Sequence, residues 1–548
     1  MRKTAADLFV ECLEREGVRY IFGLPGEESL VLLESIRKSG IRFIVTRHEQ
    51  AAAFMAATCG RLTGRAGVVL STLGPGATNL VTGVAFAQLG GMPLVVITGQ
   101  KPIRRSKQGL FQIINVLEMM SPITKATRQI TAGDLVPSLV REAFRRAEEE
   151  RPGAVHLEFP EDIASEPAIA RPLDSTKLRR PGPDAKAIDT AIDMIEASRH
   201  PLILIAAAAN RKRVSVELEE FIRKTGIPFF TTQMGKGVVD ERSPLSLGTA
   251  ALSEKDFLHR AIERSDLIIA VGHDVTEKPP AIMGYDRRKV IHINFYSAPV
   301  DDVYYPTLEV LGDIAHSIRS LTAAIRPQPH WDFGFFMEVI ASLKAHVLEK
   351  SDDGGFPVKP QRLVAELRRH IPADGILALD NGMYKLWIAR NYPAYARNTV
   401  LLDNALASMG AGLSVAIAAK LINPERKVVC VAGDGGFMMN SQEIETAIRL
   451  KVDLTVVIVN DSGYGMIKWK QDSMKLPSFG LEFSNPDFIK YAESYGASGA
   501  RVESAEDLGR ELSDAINSKG VTIIDCPIDY SENIKVLTDE LTLRTSLL

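Results

Sequence analysis

Two acidic residues are spaced so that a folded chain could bring them together around a metal ion. Asp434 lies in the segment Gly433-Asp434-Gly435-Gly436, directly after the apolar run VVCVA. Asp461 follows a second apolar run, LTVVIVN. The interval between the two acids fits one helix joining two parallel strands. Such strands bring their carboxyl ends to one edge of the sheet, where open α/β sheets bind ligands.

The glycine-rich segment at 433–436 has the chemistry of a phosphate site that uses a metal ion. Glycines let a ligand approach the backbone, and the N-terminus of a following helix presents N–H groups to an anion. A carboxylate at this turn would repel a bare phosphate but could hold Mg²⁺ between the protein and phosphate oxygens. The segment has neither the GK[ST] ending of a P-loop nor the spacing of GxGxxG. We predict a magnesium site formed by Asp434, Asp461 and a loop carbonyl; the alternative is a simple glycine turn.

Strand-length apolar runs alternate with helical patterns along the chain, which predicts an α/β fold of three doubly wound parallel-sheet domains. The runs are IRFIV, GVVLST, PLVVIT and AVHLEF in the first domain, PLILIA, IPFFTT, LIIAVG and VIHINF in the second, and ILALD, VVCVAGD, LTVVIVND and VTIIDCPI in the third. Polar, Pro-rich stretches separate the domains. The predicted limits are 1–165 for the N-terminal domain, 166–186 for a linker, 187–326 for the central domain, 327–358 for a linker with a helix, 359–530 for the C-terminal domain and 531–548 for a tail.

The composition of the 548 residues is that of an ordinary globular protein, with 45% apolar and 24% charged residues. The 65 basic and 68 acidic residues give a net charge of −3, which argues against nucleic acid as a partner. The interval between Arg65 and Lys101 carries no charge, but Pro75, Pro93 and several glycines break it into pieces too short for a membrane span. Four scattered cysteines without a CxxC pair favour the cytoplasm.

Longer motifs make the chain similar to thiamine-diphosphate enzymes, and within them to the acetohydroxyacid and acetolactate synthase branch. The pair formed by GDGG at 433–436 and NDSGYGM at 460–466 resembles the cofactor motif of these enzymes. The similar segments of the N-terminal domain are FGLPGEE, TRHEQAAAFMAATCGRLTG, GPGATNLVTG, PLVVITGQ, SPITK and RPGAVHLEFPEDI. The resemblance implies a pyrimidine-binding, a central and a diphosphate-binding domain, with thiamine diphosphate and Mg²⁺ as cofactors.

The resemblance gives a catalytic role to Glu49 in the segment RHEQ. In the family this glutamate bonds the pyrimidine nitrogen of the cofactor, so that acid–base catalysis is relayed through the cofactor. Met409 would wedge the cofactor into its bent form. The carbonyl of Ala407 would accept a hydrogen bond from the amino group of the cofactor. The implied metal ligands are Asp434, Asp461 and Gly463. The implied cofactor-binding residues are Pro25, Gly26, Glu49, Met383, Tyr384, Ala407, Met409, Gly433, Asp434, Gly435, Gly436, Asp461, Gly463, Tyr464, Gly465 and Met466.

The family builds each site from two chains, so the resemblance implies at least a homodimer, and a homotetramer is expected. Phe111 and Gln112 align with a Phe-Gln pair beside the reacting carbons, which assigns Gln112 to catalysis; an ordinary loop residue is the alternative. A basic run in the same region is interpreted as a solvated loop, with steering of a substrate carboxylate as the alternative. Its members are Lys101, Arg104, Arg105 and Lys107.

Several departures from the biosynthetic synthases favour the catabolic, flavin-free branch. Asp461 stands where biosynthetic relatives usually have Asn, and Trp469 follows Met466 by three residues instead of four. The motif VGHDVTEKPP also looks like the catabolic branch, so neither FAD nor a regulatory small subunit is expected. His48 has no adjacent histidine, unlike the tandem pair of pyruvate decarboxylases.

The implied activity decarboxylates pyruvate and joins the remaining two-carbon unit to a second pyruvate, giving 2-acetolactate and CO₂. Two alternatives remain open. One is a lyase or decarboxylase acting on another 2-oxo acid or 2-hydroxyacyl substrate. The other is a non-catalytic, cofactor-binding regulatory protein.

Overall fold

The computed structural model describes residues 3–104, 109–176, 180–277, 283, 288–299 and 302–548. The chain divides into two compact units. The first unit comprises residues 1–179, 405–424 and 440–452, and the second comprises residues 180–404, 425–439 and 453–548. In the described part of the chain, no helix has both the length and the apolar character needed to cross a bilayer.

The first unit contains a parallel six-stranded sheet of order β2-β1-β3-β4-β6-β5. Its strands are β1 (Tyr20–Gly23), β2 (Arg42–Val45), β3 (Gly67–Ser71), β4 (Leu94–Gln100), β5 (Ala126–Gln129) and β6 (Ala154–Pro160). Its helices are α1 (Ala5–Arg15), α2 (Leu30–Arg37), α3 (Glu49–Thr63), α4 (Pro75–Leu89), α5 (Val116–Met120), α6 (Val136–Glu148) and α7 (Glu161–Ala164). The uncharged interval between Arg65 and Lys101 forms β3, α4 and β4, and every residue of β3 and β4 is buried because helices cover the sheet.

The second unit contains two further parallel six-stranded sheets, the first of order β12-β11-β10-β7-β8-β9. Its strands are β7 (Pro201–Ile205), β8 (Phe229–Thr231), β9 (Ser246–Thr249), β10 (Leu267–Val271), β11 (Lys289–Asn294) and β12 (Leu308–Leu311). Its helices are α8 (Ala185–Ala197), α9 (Lys212–Thr225), α10 (Phe257–Arg264), α11 (Ile314–Ala324) and α12 (Gly334–Leu348). Separate apolar clusters pack on this sheet, so both of its faces are buried.

The other sheet of the second unit has the order β14-β13-β15-β16-β18-β17. Its strands are β13 (Ile376–Leu379), β14 (Val400–Leu401), β15 (Val428–Gly433), β16 (Leu454–Asn460), β17 (Ser498–Arg501) and β18 (Val521–Pro527). The remaining helices of the chain are α13 (Pro360–His370), α14 (Met383–Asn391), α15 (Gly412–Ile422), α16 (Asp434–Met439), α17 (Glu443–Arg449), α18 (Gly465–Ser473), α19 (Phe488–Tyr495), α20 (Asp507–Asn517), a π-helix (Lys535–Glu540) and α21 (Leu541–Ser546). The prediction of three parallel α/β sheets is confirmed.

Two elements of the C-terminal region belong to the first unit. Helices α15 and α17 lie in segments 405–424 and 440–452, and α15 packs against α3 there. In the third sheet, β15 and β16 are direct neighbours, with Gly433 opposite Val459. Asp434 and Asp461 therefore leave the sheet at the same edge, as their spacing predicts.

Candidate active site

Asp434 is held by three N–H donors at the edge of the third sheet. Its carboxylate accepts from the backbone N–H of Gly435 at 2.8 Å and of Ser462 at 2.8 Å, and from Nδ2 of Asn485 at 2.7 Å. The side chain is buried, with 1% of the residue exposed. These bonds fix the carboxylate in one orientation beside the loop that carries Asp461.

The charge of Asp434 destabilises that of Asp461, and burial opposes ionisation of both acids. Burial raises the pKa of Asp434, and its hydrogen bonds only partly oppose this effect. Burial and the nearby charge of Asp434 raise the pKa of Asp461 to about 7. Two interacting, partly desolvated carboxylates are an arrangement that a divalent cation would stabilise. Carboxylate and carbonyl oxygens are ligands that Mg²⁺ prefers, so the residues present fit this ion.

The glycines around Asp434 and Asp461 are required by close packing. A Cβ atom at Gly436 would lie 2.9 Å from Oδ2 of Asp380, and one at Gly465 would lie 2.6 Å from Oδ2 of Asp461. Both distances are shorter than real Cβ contacts, so a side chain at either position would require the carboxylate of Asp380 or Asp461 to move. This close packing favours glycine at 436 and 465 independently of the ligand approach predicted for the segment 433–436.

Aromatic rings line the same glycine-rich turn. Tyr384 is buried at the start of α14, where a Cβ at Gly433 would approach its ring to 3.1 Å. Tyr464 packs edge-on against Phe483, with ring centroids 5.0 Å apart, and a Cβ at Gly435 would meet both rings. The predicted residues on this side of the site all lie in the second unit. They are Met383, Tyr384, Gly433, Asp434, Gly435, Gly436, Asp461, Gly463, Tyr464, Gly465 and Met466.

Glu49 is the first residue of α3 in the first unit. It is buried, with 8% exposed, and its Oε2 accepts a hydrogen bond from Nδ2 of Asn79 on α4 at 3.0 Å. His48 caps the helix by accepting from the N–H of Gln50. A buried carboxyl group with one oriented oxygen can exchange a proton with a bound ligand.

A second carboxylate fixes the chain just before Glu49. Oε1 of Glu443 on α17 accepts from the backbone N–H groups of Arg47 at 2.9 Å and His48 at 3.1 Å, and its Oε2 accepts from Thr446. Burial raises the pKa of Glu443 to about 6. Glu443 therefore anchors the entry to α3 from a helix almost 400 residues later in the chain.

The remaining predicted residues of the first unit lie in loops. Pro25 and Gly26 follow β1, and a Cβ at Gly26 would collide with Thr72 at 2.4 Å. Gln112 is exposed and has a φ of 59°, a left-handed backbone that non-glycine residues rarely adopt. Such strain recurs at binding sites. Phe111 beside it has 63% of its surface exposed.

Ala407 and Met409 lie before α15 in the first unit. Ala407 has a φ of 55° and is exposed, and Met409 is half-buried. The half-buried position of Met409 leaves part of its side chain free to contact a ligand, as a wedge under a cofactor would require.

The prediction of a solvated basic loop is wrong for Lys101. Lys101 is buried, with 3% of its surface exposed, and its Nζ forms an ion pair with Glu28 at 2.5 Å. Oε2 of Glu28 also accepts from Thr72. Arg104 is exposed and pairs with Glu166, as a solvated side chain can. The predicted members Arg105 and Lys107 lie outside the described residues.

Sequence reasoning did not assign roles to Asn79, Asn485 or Glu443, which bind predicted site residues or the chain beside them. Asn79 lies inside the motif GPGATN, one turn into α4, and this position could have marked it as a candidate. Asn485 stands before a proline, which signals only a turn. Glu443 follows the glycine-rich segment without a pattern of its own, and its hydrogen bonds appear only in the folded chain.

Three family models match the chain in the order of its domains. They are the thiamine pyrophosphate enzyme N-terminal TPP binding domain at residues 3–119, the central domain at 188–321 and the C-terminal TPP binding domain at 380–526. The N-terminal match contains Glu49, and the C-terminal match contains Asp434 and Asp461. Together the three matches cover more than half of the chain.

Curated relatives are similar over almost the whole length. An acetolactate synthase from Bacillus subtilis is 32% identical over 99% of this chain and 96% of its own length. A catabolic acetolactate synthase from Raoultella terrigena is 34% identical over 96% of this chain and 95% of its own length. A probable acetolactate synthase large subunit from Methanocaldococcus jannaschii is 32% identical over 97% of this chain and 93% of its own length. The chain belongs to the thiamine pyrophosphate enzyme family.

Proposed function

We propose that the protein is an acetolactate synthase. Two pyruvate anions and one proton give one 2-acetolactate anion and one CO₂, so the reaction is redox-neutral and needs no external electron acceptor. The proposal rests on relatives that carry this name and align with nearly all of the chain. FAD is not required for a reaction that is redox-neutral overall.

The observation that carries the proposal is the buried carboxyl group of Glu49 at the start of α3, held by Asn79. When bound, thiamine diphosphate supplies the nucleophilic carbon and the electron sink that decarboxylation of a 2-oxo acid needs. Glu49 holds and exchanges a proton at the pyrimidine nitrogen. Proton transfer by a positioned side chain typically contributes about 10²–10⁴ in rate.

Asp434, Asp461 and the carbonyl oxygen of Gly463 would hold Mg²⁺ against the diphosphate. A cation at this edge would offset the burial and the repulsion from Asp434 that raise the pKa of Asp461. The glycines at 433, 435, 436 and 465 keep the backbone close to the ligand. Met383, Tyr384, Tyr464 and Met466 complete the diphosphate side of the site.

The other cofactor and substrate contacts come from the first unit. Pro25, Gly26, Ala407 and Met409 would hold the pyrimidine side of the cofactor, with Met409 as the wedge beneath it. Gln112 orients a carbonyl of pyruvate through its side-chain amide, which the strained and exposed position of this residue favours.

We also propose that the active form is at least a homodimer, with a homotetramer as the expected assembly and no regulatory subunit. One copy supplies Glu49 and its partner supplies Asp434. The four cysteines are unpaired, which favours the cytoplasm. The domain limits 1–165, 187–326 and 359–530 stay part of this proposal.

The experiment is a product balance on purified protein with Mg²⁺, thiamine diphosphate and pyruvate, without flavin. The proposal expects two pyruvates consumed for each acetolactate and each CO₂ formed. CO₂ without a ligated product would instead select a decarboxylase or lyase. Tight Mg²⁺-dependent cofactor binding without turnover of any 2-oxo acid would select a non-catalytic binding protein.

A further inference from the structure

A half-open pocket of about 630 Å³ lies in the second unit, and none of the predicted site residues lines it. It is bounded by β9, by helices α12 and α13, and by the end of α14 with the segment that follows. Its volume falls within the range of about 300–1,000 Å³ typical of small-molecule sites. A pocket of this size can enclose a ligand of one or two rings.

Most of the pocket wall is apolar. Leu343, Val347 and Leu348 line it from α12, and Val364 lines it from α13. Leu348 has 68% of its surface exposed, so this part of the apolar wall is open to solvent. The wall therefore suits the apolar or aromatic body of a ligand.

Most charged residues of the pocket wall are cationic, and one guanidinium has no carboxylate partner among the described residues. Arg368 stacks on the rings of Tyr392 and Tyr395, 4.7 and 4.4 Å from their centroids. Its N–H groups donate to carbonyl oxygens, including that of Pro372 at 3.0 Å. Carbonyl oxygens satisfy these donors without neutralising the charge.

The other charged residues of the wall differ in this respect. Arg242, Arg369 and Arg390 form ion pairs with carboxylates, and Glu241 pairs with a lysine. Lys344 on α12 is exposed, and the described part of the chain offers it no ion pair. Arg368 and Lys344 thus leave the pocket with uncompensated positive charge.

A buried hydrogen-bond donor is also left without a partner. Tyr392 lines the pocket and is fully buried. Its hydroxyl group has no hydrogen-bond partner among the described residues. Burial raises the pKa of Tyr392 well above its usual value, so the phenol stays protonated and can donate. Buried polar groups are nearly always satisfied, so an orphan donor at a pocket wall points to a ligand acceptor.

We propose that this pocket binds a small amphipathic organic anion, with an apolar or aromatic body against Leu343 and Val347 and an acidic group that accepts from Tyr392 beside Arg368 and Lys344. An anion satisfies the phenol and compensates both cations, whereas a neutral ligand leaves the charges unchanged. A cationic ligand would be repelled. The site is separate from the proposed synthase activity and does not depend on it.

The experiment uses the full chain saturated with Mg²⁺ and thiamine diphosphate, so that the cofactor site is filled. The probe is 8-anilinonaphthalene-1-sulfonate, an aromatic anion whose fluorescence rises in apolar sites, and N-phenyl-1-naphthylamine is its uncharged counterpart. We expect one saturable sulfonate site per chain and weaker binding of the uncharged probe.

Three variants assign the signal to the pocket. Tyr392→Phe and Lys344→Met are each expected to weaken binding of the anionic probe several-fold, leaving the uncharged probe unchanged. Val347→Trp fills the pocket and should abolish saturable binding of both probes. Lys490→Met is the matched control, because this exposed lysine lies on α19 and should leave binding unchanged.

Three results would overturn the proposal. One is the absence of a saturable site. Another is equal affinity for the two probes, with no change in either affinity in Tyr392→Phe or Lys344→Met. The third is sulfonate binding that survives Val347→Trp, which would place the probe elsewhere. Because Lys344 is exposed and Tyr392→Phe removes only an unpartnered hydroxyl group, neither variant is expected to disturb folding.

Discussion

Asn485 donates a hydrogen bond from Nδ2 to Oδ2 of Asp434 at 2.7 Å. The same amide group donates to Oδ1 of Asn460 at 3.1 Å. A residue far from the glycine-rich turn therefore orients the carboxylate on which the proposed magnesium site depends.

Replacing Asn485 with Ala should weaken this metal site without removing a ligand. Loss of a group that orients a metal-binding carboxylate typically costs about 10- to 100-fold in metal affinity. We expect the Mg²⁺ concentration that half-saturates thiamine diphosphate binding to rise on the order of tenfold. Titration calorimetry measures it, with Asn517→Ala on α20 as the control. An unchanged Mg²⁺ dependence would contradict the orienting role.

Asn79 is expected to act on catalysis through Glu49. The Asn79→Ala variant removes the hydrogen bond to Oε2 of Glu49, and small misplacements of a reacting group can cost up to about 10²-fold in rate. We expect kcat to fall about tenfold to a hundredfold while cofactor affinity stays near that of the native protein. Thr78→Ala, one residue earlier on α4, is the control. Equal losses in both variants would show a general disturbance of α4 instead.

Glu443 makes a specific contribution to the pH dependence of stability. Its pKa is raised from 4.5 to about 6 by burial, so between these pH values the folded state binds more protons than the unfolded state. As the pH rises from 4.5 to 6, the contribution of Glu443 to the free energy of unfolding therefore falls by about 2 kcal/mol in total. Above pH 6 this contribution no longer changes.

The Glu443→Gln variant should lack this pH dependence. Its amide oxygen can still accept from Arg47 and His48, and its NH₂ group can donate to Thr446. Between pH 4.5 and 6, the free energy of unfolding of the variant should rise by about 2 kcal/mol relative to that of the native protein. Urea unfolding measures this difference. Glu445→Gln, on the same helix but more exposed, is the control. Parallel pH curves for the native protein and Glu443→Gln would refute the assignment.

A buried ion pair joins α14 to the start of α10. Arg390 donates to both carboxylate oxygens of Asp256, at 2.7 and 2.8 Å, and both side chains are almost fully buried. Arg390→Met leaves the Asp256 charge without its partner, which typically costs about 3–5 kcal/mol. The exposed pair of Arg510 and Asp507 is the comparison, since its loss should cost under about 1 kcal/mol. Similar losses of unfolding free energy in both variants would contradict this ranking.

Mixed oligomers test the proposal that each active site takes Glu49 from one chain and Asp434 from its partner. Glu49→Gln and Asp434→Asn should each be nearly inactive alone. Random pairing of equal amounts should restore about a quarter of native activity, because half of the dimers are mixed and each mixed dimer has one intact site. Activity is measured after co-expression or subunit exchange. Failure to regain activity in demonstrably mixed dimers would place both residues in one chain.

The sequence predicted the central strands better than the edges of the sheets. Strands such as β4 and β16 are continuous apolar runs, because helices cover both faces of a parallel sheet. Edge strands such as β9, β14 and β17 are short and have weak apolar patterns. Pairing with a neighbouring strand holds them in the sheet, and such tertiary effects override local propensity.

The candidate site shows the same division between local and distant signals. Asp434 and Asp461 could be predicted because glycines and strand ends mark them in the sequence. Asn485 has no such local mark, and only the folded chain brings it to Asp434. Lys101 was expected to be solvated because its partner Glu28 lies 73 residues away, so its burial had no local signal.

The most direct test of the account compares acetolactate formation by the native protein and by Glu49→Gln at saturating Mg²⁺, thiamine diphosphate and pyruvate. Cofactor binding and the circular dichroism spectrum are recorded on the same samples. We predict that turnover falls about 10²- to 10⁴-fold, while the fold is kept and the cofactor still binds. Turnover at the native rate in Glu49→Gln would contradict the proposed mechanism.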